Sequence, residues 1–403
     1  MKKQLSTIVR LVVSVGILAY LFNSIFQNEL KEVARFILQT PQATAEELAE
    51  QLEISAEKVA LIRAKVQLVP DPNDPKHVEV NLVTLAAQER RALVWSVGPQ
   101  SLWRVFHKVS PWWMAAAIGC VGIVCLCGIL RWQWILRVQG IELSFPRATS
   151  IFFIGMFFNA FMLGSTGGDV IKAWYAARET HHKKAEAVAT VVVDRLIGLM
   201  ALFVITLIMM ALFYHRVFDD VRLRGFAVVT VGVVLATVAG TLAMFWRGLA
   251  DKLPRVRALL QKLPHYATLK RMIDAYRTYA SHPALLLKTM LISFGAHLAV
   301  MVSIYCVGRG LGIVTANGLI DYLLYLPIIN SVTAIPISIS GFGVRELMYA
   351  EMFGAVGVTG SAAVALSLLG FIVMLFWSMV GSLFYLTHRH EVAAAEHEAA
   401  TAE

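Results

Sequence analysis

Long uninterrupted runs of apolar residues constrain this chain more than any other feature of its sequence. A helix needs about 20 apolar residues to cross roughly 30 Å of hydrocarbon, and several runs reach that length. Because no small-x-small cleavage site follows the first run, we expect an uncleaved anchor rather than a signal peptide. We predict six full spans, at residues 5–26, 112–130, 187–213, 226–246, 289–307 and 361–386.

The composition is typical of an all-α polytopic membrane protein. Apolar residues make up 58% of the 403 positions, charged residues only 16%, and the mean hydropathy is +0.65, a profile unlike that of a globular domain. The formal net charge of +9 is compatible with a nucleic-acid partner, but we favour Lys and Arg concentrated in cytoplasmic loops. The cysteines lie in apolar runs without metal-ligand spacing, so we expect inert thiols.

The basic loops set the predicted orientation in the cell (inner) membrane. Residues 247–288 contain nine Lys or Arg, which places this loop in the cytoplasm. Counting spans from it leaves both flanks of the apolar segment 149–163 in the cytoplasm and both flanks of 320–360 outside. We therefore predict two oppositely facing re-entrant helical hairpins, a solution known among transporters, with both termini cytoplasmic.

The membrane pattern is interrupted after the first run by a stretch of mixed polar and charged composition. We predict that this stretch is a small inserted soluble helical module. The predicted organisation is a first membrane span at 1–27, the inserted module at 28–110, a membrane domain at 111–390 and a disordered tail at 391–403.

Within the module, residues 43–66 resemble the helix-turn-helix of sigma factors and winged-helix proteins. Thr44 and Glu47 have the spacing of a capping box, and Ser55 can cap the second helix. That second helix carries few basic residues, so we favour a packing module over a DNA-binding one. The run at 70–75 predicts a turn, and 78–83 predicts a short strand.

Three clusters of polar and charged residues lie at predicted membrane depth. Such groups cost a few kcal/mol each near the centre of a span, so they usually face a cavity or a partner. We take the members of the three clusters as candidate substrate-binding residues: Asn159, Gly167, Gly168, Asp169, Lys172, Asp194, Arg195, Ser340, Gly341, Gly343, Arg345 and Glu346.

The first cluster follows an apolar run with the sequence GSTGGDVIK, residues 164–172. Its glycines allow a sharp turn and expose N–H groups, and a helix starting near Gly168 presents its positive dipole to an anion. Asp169 is then near the N-cap, with Lys172 one turn further on. The alternative is an ordinary helix cap at the cytoplasmic interface, with basic side chains reaching out to water.

The other two clusters carry adjacent charges of opposite sign. Asp194 and Arg195 lie inside an apolar run, and because neighbouring residues on a helix do not face each other, we expect them to have different partners. A purely structural ion pair with another helix is the alternative. In the third cluster a glycine-permitted turn precedes Arg345 and Glu346, which open a helix and favour an anion such as a phosphate.

Three motifs in this order carry a family resemblance: GGDVIKAWYAAR, DRLIG and the P-x-S-x-x-G-x-G-V-R-E run. Together they resemble the flippase-like membrane domain of lysylphosphatidylglycerol synthases of the MprF type, which also occurs alone in YbhN-like and AglD-like proteins. The resemblance covers about 110–390, and the module at 28–110 is a departure from it. The family commonly has Arg where this chain has Lys172, which keeps the charge but loses the bidentate fork.

The resemblance implies that the chain moves or handles an anionic lipid between leaflets. Only 17 residues follow Leu386, too few for the acyltransferase-like domain that makes the aminoacyl lipid, so we expect a transporter and not an enzyme. The sequence has no P-loop, zinc motif, nucleophile elbow or catalytic carboxylate pair, so we predict no cofactor and no metal.

Our leading hypothesis is a lipid translocase whose midplane cavity takes the anionic headgroup of a membrane lipid. The partners considered are this lipid, a second copy of the chain and a lipid-modifying enzyme, with no nucleic acid. One alternative is an enzyme, or a subunit of one, acting on polyprenyl-phosphate or aminoacyl lipids. The other is a membrane-tethered regulator that uses the helices at 43–66.

Overall fold

The computed structural model describes residues 2–70, 78–82, 84–107, 109–161, 167–180, 183–245, 278–334 and 341–401. This part of the chain is almost entirely α-helical. Its helices are α1 (Lys2–Gln39), α2 (Ala45–Leu52), α3 (Ala56–Lys65), α4 (Ala87–His107), α5 (Pro111–Val138), α6 (Phe145–Phe161), α7 (Gly167–Arg178), α8 (Lys184–Leu212), α9 (Tyr214–Phe218), α10 (Val221–Phe245), α11 (Pro283–Gly310), α12 (Leu319–Thr333), α13 (Val344–Gly354) and α14 (Gly360–Thr401). Two short strands, β1 (Gln67–Pro70) and β2 (Val78–Asn81), form one antiparallel pair.

Four of the predicted spans lie wholly within a described helix. The other two, 187–213 and 226–246, extend one residue past the ends of α8 and α10. Four helices in the described residues are long and apolar enough to cross a membrane: α5, α8, α11 and the Gly360–Thr387 part of α14. The chain is therefore a helical membrane protein, and the full count of six spans stays a prediction. Most of the basic loop at 247–288, which set the predicted orientation, lies outside the described residues.

The helix α5 is longer than its predicted span. The sequence interpretation ended the span at Leu130 and left Arg131 in a cytoplasmic linker, whereas the helix continues to Val138. Its extension has the sequence RWQWILRV, which is mostly apolar and therefore continues the buried face of the helix. Arg131 consequently lies within a membrane helix.

Helices α6 and α7 form a hairpin whose two arms are in close contact. A Cβ on Gly168 would lie 1.8 Å from the carbonyl oxygen of Gly155, so only glycine permits this approach. At the open end, Arg147 near the start of α6 bonds Glu179 just after α7 at 2.9 Å. Lys183 donates to the Gln139 carbonyl at 2.9 Å, so the flanks of the hairpin lie together.

Helices α12 and α13 form a second hairpin, attached at the other end of α8. Tyr322 near the start of α12 packs on Phe353 near the end of α13, with ring centroids 4.9 Å apart. Arg216 of α9 bonds Asp321 at 3.1 Å, which fixes this open end beside the last turn of α8. Since α8 has 29 residues and is about 43 Å long, the two hairpins open toward opposite ends of it.

The module and α1 share one hydrophobic core, separate from the larger core of the membrane helices. Leu30, Leu48, Ile62 and Val97 are buried in it, and Val364 of α14 joins it. The helix α1 runs without a break across the predicted boundary at residue 27. The domain division therefore stays a prediction, and the module is packed on the membrane helices rather than tethered to them.

The local structure of the module follows the sequence closely. Thr44 accepts a hydrogen bond from the Glu47 N–H at 3.2 Å and Glu47 accepts from the Thr44 N–H at 2.8 Å, so the predicted capping box is confirmed. Ser55 occupies the N-cap position of α3 as predicted, but its exposed side chain makes no cap bond. Lys65 bonds Glu89 at 2.5 Å, and this hydrogen bond lowers the pKa of the Glu89 carboxyl.

Two further predictions concern short segments. The predicted strand at 78–83 is present as β2, while the predicted turn at 70–75 lies outside the described residues beyond Pro70. The tail predicted to be disordered from residue 391 is instead helical as far as Thr401. Its sequence is rich in Ala and Glu, which have high intrinsic helix propensity and extend the preceding helix.

Candidate functional site

The centre of the site is a buried carboxylate that bridges two cations from different helices. Asp194 of α8 accepts from Arg131 Nε of α5 at 2.7 Å with one oxygen, and from Lys172 Nζ of α7 at 3.1 Å with the other. Arg131 also donates to the Ser293 hydroxyl of α11 at 2.8 Å. Four helices are therefore joined by charge-assisted and polar bonds around Asp194.

Lys172 is enclosed by this arrangement. Its ammonium lies 4.1 Å from the centroid of the Trp132 ring and 5.2 Å from that of Phe152, distances that allow cation–π attraction. The sequence interpretation placed Lys172 at the surface of an anion site. In the structure its side chain is buried, and Asp194 is its ionic partner.

A second ion pair lies beside the first. Arg195 Nη1 is 3.7 Å from Asp169 Oδ2, and the side chains are 48% and 25% exposed. The prediction that Asp194 and Arg195 have different partners is confirmed, because neighbouring positions on α8 point to different sides of the cluster.

Asn159 connects the two arms of the first hairpin. Its side-chain oxygen accepts from the Gly168 N–H at 2.8 Å, and its amide nitrogen is 3.5 Å from Asp169 Oδ1. Gly167 is the first residue of α7. The sequence interpretation predicted that the N–H groups of this turn bind an anion, but the Gly168 N–H is already bonded to Asn159. Glycine at position 168 therefore serves the close packing of α6 and α7.

The second hairpin carries the other candidate cluster. Gly341 and Gly343 have φ of 79° and 88°, values that favour glycine, so the predicted tight turn is confirmed. Glu346 accepts from the Gly343 N–H at 2.7 Å and thereby caps α13. The candidate Ser340 lies outside the described residues.

Glu346 also positions the cation beside it. Its other oxygen accepts from Arg345 at 2.7 Å and from the Ser367 hydroxyl at 3.0 Å, and the side chain is fully buried. The Arg345 guanidinium lies 5.2 Å from the ring centroids of both Phe342 and Phe371. Both oxygens of the Glu346 carboxylate are therefore bonded within the protein, whereas the Arg345 guanidinium lines a cavity.

Two adjoining cavities collect these groups. The first, of about 360 Å³, contains the Asp194 cluster and the Asp169–Arg195 pair in its wall, and the second, of about 440 Å³, contains Arg345. Asn159 and Arg195 line both cavities, together with apolar side chains. The three clusters that are separate in sequence thus contribute to one charged region inside an apolar helical body.

Sequence reasoning missed several polar residues of these walls, among them Arg131, His297 and Ser367. His297 Nε2 is 2.9 Å from the Gly198 carbonyl oxygen. Arg131 lies just past the predicted end of its span, but His297 and Ser367 each stand as a single polar residue within an otherwise apolar run. That isolation is the signal that could have identified them, because polar groups at membrane depth usually face a cavity or a partner.

Comparison with known proteins places this geometry in a family context. The family model described as "Lysylphosphatidylglycerol synthase TM region" matches residues 82–381. The match begins before α4, so residues 82–110 of the predicted module lie inside the family match and only residues 28–81 precede it. The chain is also 24% identical over 319 residues to the UPF0104 membrane protein PH1989 of Pyrococcus horikoshii, covering 74% of this chain and 93% of that protein.

Proposed function

The chain belongs to the lysylphosphatidylglycerol synthase TM region family, and from this premise we propose that it moves an anionic, phosphate-bearing lipid between the leaflets of the cell membrane. The observation that carries the proposal is that two cavities with charged groups in their walls meet at Arg195 and Asn159. Charged groups at membrane depth are costly, and a substrate pathway is one of the common reasons for keeping them.

The proposed pathway uses the two hairpins as re-entrant elements. The Arg147–Glu179 bond at the base of the first and the Tyr322–Phe353 contact at the base of the second support entry and return on the same side. Their attachment at opposite ends of α8 supports opposite facing. We propose six full spans around the two hairpins, with both termini in the cytoplasm. Irregular backbone at membrane depth requires a protein-lined cavity, and the hairpins would turn beside the two cavities.

The chemistry of the walls favours a phosphate headgroup over other polar cargo. Arg195 and Arg345 present guanidinium groups, which match the geometry of phosphate oxygens. The remaining walls are largely apolar, including Phe152, Leu199 and Phe371. A headgroup can therefore bind at the arginines while the acyl chains stay against apolar surface.

We propose a transporter rather than an enzyme. The two most buried carboxylates of the site, Asp194 and Glu346, are each held by cations, which supports a structural role for them. In the module, Arg63 donates to the carbonyls of Thr40 and Ala43. This use of a basic side chain of α3 within the module supports a packing role and no nucleic-acid partner.

The proposal is tested by reconstitution in liposomes containing a fluorescent anionic phospholipid, with dithionite used to bleach the outer leaflet. We expect rapid loss of inner-leaflet fluorescence with the wild type. The double variant Arg195→Ala, Arg345→Ala should slow it by about tenfold or more, since hydrogen bonds to charged groups contribute about 1.5–3 kcal/mol each.

Arg178→Ala is the matched control, because it removes a cation from α7 that lies outside both cavities, over the Trp174 ring at 4.8 Å. It should retain the wild-type rate. Absence of lipid movement with folded wild-type protein would refute the proposal, and a new headgroup produced by the chain alone would favour an enzyme instead.

A further inference from the structure

The ionisable side chains around the two cavities do not balance. Among the described residues, four cations and two carboxylates line the walls, and the buried Glu346 lies directly behind Arg345 at 2.7 Å. The lining groups are Arg131, Lys172, Arg195, Arg345, Asp169 and Asp194. With His297 counted as neutral, the site carries one excess positive charge.

The segments that join α6 to α7 and α12 to α13, which lie outside the described residues, do not alter this count. Their sequences are MLGST at 162–166 and IPISIS at 335–340, and neither contains an ionisable side chain. The count of one excess positive charge therefore holds for the described residues together with these two segments.

The excess charge selects among headgroups by electrostatics. Within an apolar helical body the effective dielectric constant is low, and an uncompensated charge is costly. A ligand with one negative charge neutralises the site. A phosphomonoester, which carries about 1.5–2 negative charges near neutral pH, over-compensates it. A zwitterion leaves the excess unchanged, and a cationic headgroup increases it.

We propose that the transported lipid is a phosphodiester with a single net negative charge and an otherwise uncharged headgroup. This inference rests on the proposed translocase function and narrows its substrate class. The phosphodiester oxygens would contact Arg195, which lines both cavities, and Arg345 in the second. Arg131 and Lys172 are bonded to Asp194, so they act on the headgroup through the electrostatic potential of the site rather than through direct contacts.

The test compares four acyl-labelled lipids in otherwise identical liposomes: phosphatidylglycerol, phosphatidic acid, phosphatidylcholine and lysylphosphatidylglycerol. We expect phosphatidylglycerol to cross about tenfold faster than each of the others. If no lipid crosses, the translocase function itself fails. If all four cross at one rate, or if another of the four is fastest, the charge inference is overturned while the function stands.

Variants that change the charge of the site should change the preference in opposite directions. Asp169→Asn raises the excess to two and should shift the rate ratio toward phosphatidic acid. Arg195→Gln removes the excess and should shift the ratio toward phosphatidylcholine. Ratios that stay at the wild-type value in both variants, each verified as a folded monodisperse sample, would contradict the proposal.

The control pair makes the same charge changes outside the cavities. Glu179→Gln and Arg147→Gln act on an ion pair at the open end of the first hairpin, and neither residue lines a cavity. Both should keep the wild-type order of rates. If they shift the preference as the cavity variants do, the effect is one of overall charge and the inference fails.

Discussion

Asp194 determines how the charges of the site are arranged, because both of its oxygens are engaged by cations from other helices. Arg131 and Lys172 are each within 3.1 Å of it, and all three side chains are largely buried. A buried ion pair adds little net stability compared with an apolar packing, but breaking one leaves an uncompensated charge at a cost of about 3–5 kcal/mol.

We therefore predict that Asp194→Asn lowers the free energy of unfolding by about 3 kcal/mol or more, because two buried cations lose their counter-charge. The measurement is thermal unfolding of the purified protein in one detergent. Asp219→Asn is the control, since its pair with His215 is largely exposed and its loss should change stability by less than about 1 kcal/mol. Equal effects in the two variants would contradict the assignment.

The sequence was least informative about which individual residues pair with each other. The sequence predicted that Asp194 and Arg195 have separate partners, and it placed Glu346 at the start of a helix. It could not identify Arg131 as a partner of Asp194, because it ended the first of the two spans at Leu130 and left Arg131 outside it. Which pairs form depends on how those helices are rotated toward each other.

At the scale of elements, the first hairpin depends on glycine at the contact between its arms. Gly155 and Gly168 let the backbones approach closely, and the Gly168 N–H bonds Asn159 across the contact. Small residues at helix contacts are the usual means of close packing within membranes, where no hydrophobic driving force acts between helices.

We predict that Gly168→Ala destabilises the protein by about 3 kcal/mol or more, at the upper end of overpacking costs, because its Cβ would meet backbone rather than a movable side chain. Thermal unfolding in detergent measures this effect. Gly232→Ala, on a helix where nothing lies within 4 Å of the added Cβ, should be neutral or raise stability by up to about 1 kcal/mol. A destabilisation by Gly232→Ala as large as that by Gly168→Ala would refute the packing argument.

At the scale of the whole molecule, the two hairpins and α8 define which segments lie on the same side of the membrane. Lys183 bonds the carbonyl of Gln139, so the segments flanking the first hairpin should share a face. Asp219, which follows α9, and Val314, between α11 and α12, belong to the end where the second hairpin opens.

We predict that single cysteines at Lys183 and Gln139, in a variant lacking the four native cysteines, react with an impermeant maleimide from one side of sealed vesicles. Cysteines at Asp219 and Val314, both exposed in the structure, should react only from the other side. All four should react after detergent is added. Labelling that puts Lys183 and Gln139 on opposite sides would rule out re-entry by the first hairpin.

The sequence by itself determined the membrane class, the positions of the long helices and the capping box, because apolar run length and cap spacing are local properties. It also located most of the charges at membrane depth. Only the tertiary structure decided that Asp194 binds Arg131 and Lys172, that the Gly168 N–H is occupied, and that Arg195 lines both cavities. These facts depend on the rotation and approach of helices distant in sequence, which no local pattern specifies.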